Sequence, residues 1–391
     1  MKFETLKFSD VTINYDKKRI PLSTMERIKR QGKYRYYGAQ GIIDYIDDYI
    51  FDGKFLLIAE DGENLKSKKQ NIAQIAKGKF WVNNHAHIVQ CNDKCRLEYL
   101  CFLLNSMELS GYITGSAQPK LSQSNMNSIS LIIPSVETQD LILSVILPIE
   151  QKIALNTAIN ENLQEQALAL FRQFFMDFAP YGGVAPSDWT EVSLDDVCTR
   201  ITDGSHYSPA DVPDSPYPMY SVKDMETYGF NSSSCKHISE EDFRKMQKGD
   251  CVPLLNDILV AKDGSYLKEI FICSEEKDEA ILSSIAIFRP DTKIIMPEIL
   301  LYLLKQPSIR KDVGDNYVSG SALPRIVLKD FKKYRFMLPP MDEQLKIGSV
   351  LHAIRMQTKA NIDEIQCLSS TRDALLPKLM SGELDVSNLD L

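Results

Sequence analysis

No stretch of this 391-residue chain stays apolar for longer than the nine residues of LILSVILPI at 141–149. A bilayer-spanning helix takes about 20 such residues, and the opening MKFETLKFSD has no apolar run of signal-peptide length. Cysteine is scarce. The eight thiols, Cys91, Cys95, Cys101, Cys198, Cys235, Cys251, Cys273 and Cys367, lie mostly in apolar or strand-like runs and form no disulfide framework by spacing. These absences predict a cytoplasmic protein with no membrane contact. An excess of basic charge is missing too: 45 Lys and Arg stand against 53 Asp and Glu, a net charge of −8. Adhesion to nucleic acid through the whole surface is thereby excluded.

Catalytic signatures are also absent. There is no phosphate-cradling GxxxxGK[ST] loop, and the one Pro-Pro, Pro339 and Pro340, is followed by Met341 instead of the aromatic residue of an amino-methyltransferase motif. Glu150 and Lys152 make a nuclease-like Glu-x-Lys, but on a heptad helix with no partner acid in register. His85, His87, Cys91 and Cys95 are ligand-capable types, and i and i+2 share one face of a strand. Their spacing fits no Cys-x2-Cys zinc pattern, and the matching stretch ILSSIAIFRP at 281–290 has no ligand. Neither metal binding nor chemistry by this chain alone is expected.

What the sequence does contain is a long-period duplication. GSAQPK at 115–120 returns as GSALPR at 320–325, and the same offset of 205 places Pro134 on Pro339, Gln139 on Gln344 and Asn156 on Asn361. Upstream, with small indels, LIAEDGENLK at 57–66 matches LVAKDGSYLK at 259–268, EYLCFLL at 98–104 matches EILLYLL at 298–304, and FETLKFSDV at 3–11 matches WTEVSLDDV at 189–197. Charge divides unevenly over this frame. Residues 1–134 carry 19 basic and 14 acidic groups, 135–185 carry 2 and 6, 186–339 carry 19 and 25, and 340–391 carry 5 and 8.

Each copy reads as a globular half followed by a long helix. Runs such as KFLLIA, WVNNHAHIV, EIFIC and SSIAIF alternate with Gly, Asp, Asn and Pro turn signals, as half-buried strands do. The helices show an a/d seam. In the first it runs Ile142, Ile146, Ile149, Ile153, Asn156, Asn160, Leu163, Ala167, Leu170 and Phe174; in the second Ile347, Leu351, Ile354, Thr358, Asn361, Ile365, Leu368, Arg372, Leu375 and Leu379. Two rods of about 60 Å are expected to pack antiparallel, with Asn156 and Asn361 setting their register. Pro148 predicts either a kink or a helix that starts at Ile149. The first strand is expected to pair with the C-terminal SGELDV. The resulting fold class is α/β (α+β): two strand-rich globular domains, at 1–134 and 181–339, separated by two long antiparallel coiled-coil helices, at 135–180 and within 340–391, in an internal pseudo-twofold repeat.

LPPMDEQLKIGSVL at 338–351, TRDALLPKLMSGELDV at 371–386, ITDGSHYSP at 201–209, DILVAKDGS at 257–265, the GSA-x-P-[KR] pair and KIALNTAINENLQEQALALFRQFFMDF at 152–178 stand in one order. Over essentially the whole chain this resembles the specificity (S) subunit of type I restriction-modification systems. The resemblance implies that each globular half is a target recognition domain reading one half of a bipartite double-stranded DNA site. It implies that the helices fix the half-site spacing and dock two methyltransferase (M) subunits, which restriction (R) subunits join. No cofactor is expected on this chain; S-adenosylmethionine would belong to M, and ATP and Mg to R. The halves differ outside the shared motifs, which predicts an asymmetric target.

Basic and aromatic residues interleave in RIKRQGKYRYY at 27–37, making Arg27, Lys29, Arg30, Lys33 and Arg35 candidates for phosphate or guanine contacts. Lys66, Lys68 and Lys69 form a second basic run. In the other half, Ser205, His206 and Tyr207 follow an Asp-Gly turn, and Lys262 and Lys268 flank another. Lys120 and Arg325 recur at equivalent positions, which favours a shared backbone contact. The helix pair is expected to pack through Ile149, Ile153, Asn156, Leu163, Leu170, Ile354, Asn361, Leu368 and Leu375. Two other readings stay open: a coiled-coil adaptor whose heads bind protein, and the recognition part of a stand-alone restriction or modification enzyme.

Overall fold

The computed structural model describes residues 2–67, 70–115, 118–320 and 322–386. Two compact units emerge, Met1–Ala154 with Ile365–Leu391, and Leu155–Glu364. The division falls inside both long helices, because each head packs on its own share of both helices.

In the first unit a six-stranded sheet runs in the order Thr12–Asn14, Ala86–Cys91, Phe51–Ala59, Ala73–Val82, Gln31–Gly38, Gly41–Ile46. The run Phe55, Leu56, Leu57, Ile58 is buried on both faces, which strand alternation divides between two cores. Leu56 and Ile58 meet Val89, Tyr99, Leu100 and Leu104, the last three on the helix Leu97–Ser106. Phe55 and Leu57 meet Phe51, Phe80 and Ile88. Apart from this sheet, Phe3–Lys7 pairs antiparallel with Ser130–Pro134. That corrects the expected pairing with SGELDV. The tail contributes Val386 to the core beside Leu379 and Met380, and Leu384 donates its N–H to the Lys378 carbonyl at 3.0 Å.

The second unit repeats the plan. Thr190–Ser193 pairs with Arg335–Leu338, as Phe3–Lys7 does with Ser130–Pro134. Its main sheet runs Cys198–Asp203, Ile285–Pro290, Ile258–Ala261, Ile270–Ile272, and a three-stranded sheet runs Lys236–Ile238, Tyr217–Tyr220, Ala280–Ile281.

A long helix leaves each head directly after its closing strand. The first, Val136–Phe175, continues through Pro148. This corrects the expected start at Ile149, since the turns ahead of Pro148 are helical. Proline removes the bond to the carbonyl four residues back and crowds that carbonyl, while the buried neighbours Ile142, Leu143 and Ile146 hold the preceding turns against the core. The second helix is Met341–Ser381. Both are anchored by a buried glutamine with the same bonds. Gln139 accepts the Arg96 N–H at 2.8 Å and donates to the Pro134 carbonyl at 3.0 Å. Gln344 accepts the Met296 N–H and donates to the Pro339 carbonyl, both at 3.0 Å.

Within the second unit the helix segments pack antiparallel through polar seam positions. Asn361 donates to Asn160 at 2.7 Å and accepts from Gln357 at 2.9 Å, while Asn156 donates to Glu364 at 2.7 Å. Asn156 and Asn361 thus each bond across the seam, Asn361 with Asn160 and Asn156 with Glu364. Leu163, Leu170 and Ile354 are half-buried in this unit. In the first unit Ile149, Ile153, Leu368 and Leu375 are half-buried, and Arg372 donates to Glu150 at 3.1 Å. The stretch from Val136 has the length and mean hydropathy, 1.3, of a candidate membrane span. Its buried apolar residues are covered by protein, Ile142 and Ile146 in one unit and Ala167, Phe171 and Phe175 in the other.

Candidate nucleic-acid interface

The repeated motifs form a loop-on-turn latch in each head. In the first head the Gly62 N–H donates to the Pro119 carbonyl at 3.3 Å and the Leu121 N–H to the Glu60 carbonyl at 2.8 Å; Lys120 bridges to Asp61 through the backbone. In the second the Gly264 N–H donates to Pro324 at 2.7 Å and the Ile326 N–H to Lys262 at 3.0 Å, with Arg325 bridged to Asp263. Glycine opens both loops for a steric reason. Gly115 and Gly320 have φ of +87° and +89°, and a Cβ would stand 2.2 Å from the Gln118 carbonyl oxygen and 2.7 Å from that of Leu323. Ser116, Ala117 and Ser321 of these loops lie outside the described residues. Each basic side chain meets a carboxylate of its turn, though not the equivalent one: Lys120 lies 3.2 Å from Glu60, and Arg325 lies 4.0 Å from Asp263, the counterpart of Asp61.

The charge beneath the latch is reversed between the heads. Glu60 of the first is held by Arg19 at 2.8 Å, whereas its counterpart Lys262 is held by Asp203 at 2.5 Å. Lys262 is a correction to the expected DNA contacts. Its side chain is only 8% exposed and lies between Asp203 and Asp263, so its ammonium braces the turn. The histidines weighed as metal ligands are engaged otherwise. His85 meets Asp61 at 2.7 Å, and His87 sits between Asp16 at 2.6 Å and the Leu121 carbonyl at 2.8 Å.

This latch carries a pH dependence. Burial pushes the Asp16 carboxyl up, but the hydrogen bond and charge of His87, with the Ile88 N–H, outweigh it and leave the group below its ordinary value. Glu60 is lowered in the same way, by Arg19, His87 and Lys120 acting against burial. A carboxyl depressed on folding adds stability above its unfolded pKa and loses it as pH falls through the folded one. The contribution of these two carboxyls to the stability of the first head is expected to be complete above about pH 5 and to be lost below about pH 4. Asp16→Asn should cost roughly 2 kcal/mol at neutral pH and flatten that acid limb. Circular-dichroism melts across this range check it, and an unchanged limb would count against the network.

The basic run 27–37 divides into two groups. Arg27 and Arg30 fold back onto a small core of Tyr36, Ile46 and Trp81. Arg27 stacks over Tyr36 and pairs with Asp44 at 3.0 Å; Arg30 stacks over Trp81 and pairs with Asp47 at 2.9 Å. Asp44 is held below the usual carboxylate value by the Gln31 amide first, then by the Tyr45 N–H and Arg27. These two arginines are a second correction: they clamp the short helix Thr24–Lys29 to the sheet. Sequence held the clue in equal spacing, Arg27 and Arg30 matching Asp44 and Asp47. Lys29, Lys33 and Arg35 are exposed, Lys33 lying over its neighbour Tyr34. Lys66 is exposed at the end of the helix Asn64–Ser67, and Lys68 and Lys69 fall outside the described residues.

In the second head the Asp-Gly turn is pinned. The Ser205 N–H donates to the Ile281 carbonyl at 2.8 Å and the Ser205 hydroxyl to the Tyr207 carbonyl at 2.8 Å; His206 and Tyr207 are exposed, with His206 3.3 Å from Asp203. Lys268 is exposed, 3.6 Å from Glu269. A cavity of about 360 Å³ lies beside this turn, lined by Thr202, Asp203, Lys262, Lys329 and Lys332 over Ile201, Ile326 and Leu328. The structure thus brings each head's latch and turn together, and leaves exposed cations on different elements in the two heads.

Residues 2–165 and 186–366 match the family model described as the type I restriction modification DNA specificity domain. A type I restriction enzyme specificity subunit of Haemophilus influenzae is 26% identical, over 88% of this chain and 85% of the relative. The MjaIX specificity subunit of Methanocaldococcus jannaschii is 25% identical, over 81% and 75%. Among solved structures, the S subunit of a type I restriction-modification system from M. genitalium superposes with a TM-score of 0.65 at 13% identity, covering 97% of this chain and 96% of that one. At that identity the likeness concerns the fold.

Proposed function

The chain belongs to the type I restriction-modification DNA specificity family, and from that premise we propose that each head reads one half of a bipartite, asymmetric DNA target while the long helices set the half-site spacing and dock the methyltransferase subunits. The observation that carries this reading is the duplicated latch: two heads share one scaffold, with Gly115 and Gly320 in the same left-handed turn, yet differ in the side chains mounted beside it. A split site needs two readers at a fixed separation, commonly about 34–36 Å so that both face one side of the duplex. Two long helices suit that task.

The chemistry then belongs to the partners. The methyltransferase subunits would supply S-adenosylmethionine-dependent adenine methylation, and the restriction subunits ATP- and Mg-driven cleavage. With a net charge of −8, this chain alone is expected to hold DNA weakly, since affinity for the duplex comes mainly from phosphate neutralisation. Selection of a random duplex library by the chain with and without its methyltransferase partner tests the reading. Enrichment of one split motif only by the complex supports it; tight, salt-sensitive and sequence-blind binding by the lone chain contradicts it.

A further inference from the structure

We propose that Met25 and Ile28, on the short helix Thr24–Lys29, are specificity-determining residues of the first head that contact thymine methyl groups in the major groove. This rests on the reading of the chain as a DNA-specificity subunit and names the side chains that carry out part of it.

The helix is built to present them. Ser23 caps it and Glu26 completes the capping box. At 3.6 residues per turn, Met25, Ile28 and Lys29 fall on one arc, and Arg27 lies opposite. Arg27 is drawn inward by Asp44 and the Tyr36 ring, and Arg30, at the helix end, by Asp47 and Trp81. That double clamp turns the other face outward. Met25 is 72% exposed and Ile28 66%, although both are large and apolar.

Among the described residues of the first head these are the two most exposed large apolar side chains, and the charge of the same stretch points to the partner. Lys29 is on the same arc, and Lys33 and Arg35 follow on the adjoining strand Gln31–Gly38, all exposed. They sit in a head with 19 basic and 14 acidic residues over 1–134, the only one of the four segments with net positive charge. Glu26 is turned back onto its own cap at Ser23 and Asp47 is paired with Arg30, so the exposed cations of this stretch suit a duplex, with the lysines on phosphates and the carbon side chains on base edges. Methionine and isoleucine side chains lack the donors that read guanine or adenine; the base feature they fit is the thymine 5-methyl, which the major groove displays where a helix can reach it. The clamped arginines, the obvious base readers from sequence, leave this role to their apolar neighbours.

The test uses the complete complex. The chain is co-expressed with its methyltransferase partner, and N6-methyladenine is mapped over a random-sequence plasmid library for wild type, the double variant Met25→Ala with Ile28→Ala, and Lys29→Ala. The double variant is expected to lose about tenfold discrimination for thymine at one or two positions of one half-site, with the other half-site and the spacing unchanged. Lys29→Ala should lower methylation evenly across sequences without changing the motif. Both altered side chains are exposed, so yield and melting should match wild type. An unchanged motif in the double variant overturns the inference. So does loss of complex assembly, which would make this face a protein-docking surface. A wild-type complex with no split motif would instead remove the DNA-specificity reading itself, and the inference with it.

Discussion

Seven residues inserted into each long helix, after Ile153 and after Leu368, are expected to widen the spacer of the methylated motif by about three base pairs and leave both half-site sequences as they were. One heptad adds about 10.5 Å of helix, against about 3.4 Å per base pair. It also returns the a/d seam to its own register, and the two insertion points lie close to the level at which Arg372 meets Glu150 in the first unit. Three base pairs turn one half-site by about 100° relative to the other at 10–10.5 base pairs per turn, so methylation should slow even as the motif is retained. Insertion in one helix alone would mismatch the seam and should abolish assembly. Mapping N6-methyladenine for the three chains checks this; an unchanged spacer in the double insertion would show that something other than helix length sets the distance.

Arg289→Met is expected to destabilise the second head by about 3–5 kcal/mol, a fall in melting temperature of about 10 °C for a unit of this size. Asp257 is fully buried, and its carboxylate accepts Nε and Nη2 of Arg289 at 2.8 Å each and the Leu254 N–H at 2.8 Å. Arg289 also reaches Asp250 at 3.1 Å. Truncating the arginine leaves a carboxylate in the interior with one backbone donor. Its cost should come from that stranded charge, not from the pair's own attraction. The second change Asp257→Leu on the Arg289→Met background should therefore restore most of the loss. Calorimetry of the two variants distinguishes the cases: a single-variant loss below about 1 kcal/mol would mean that water reaches Asp257.

The duplication was legible because it left identical residues at identical distances. Gln139 and Gln344 stand 205 apart and make the same bonds to the start of their helices, and Gly115 and Gly320 open the same turn. The a/d spacing likewise located two helices, since their seam residues recur at three and four whatever the heads do. What spacing could not supply was which partner sits across the seam: Asn156, Asn160 and Asn361 all fit it, and tertiary packing chose Asn160 for Asn361. Within the heads, charge in the sequence was a poor guide to charge at the surface. Arg27, Arg30 and Lys262 read as DNA contacts until Asp44, Asp47 and Asp203 came into reach through strand pairing and turns. The partner of the first strand is hidden in the sequence for a related reason. Phe3–Lys7 and Ser130–Pro134 are far apart in sequence, and alternation alone does not name a strand's neighbour.

The most direct measurement is to co-express the wild-type chain with its methyltransferase partner and map N6-methyladenine at single-base resolution across a random-sequence plasmid library. Two heads acting as separate readers predict one split, asymmetric motif with a modified adenine in each half and a fixed, unread spacer between them. A stable complex that methylates nothing, or a single contiguous motif, would contradict the account.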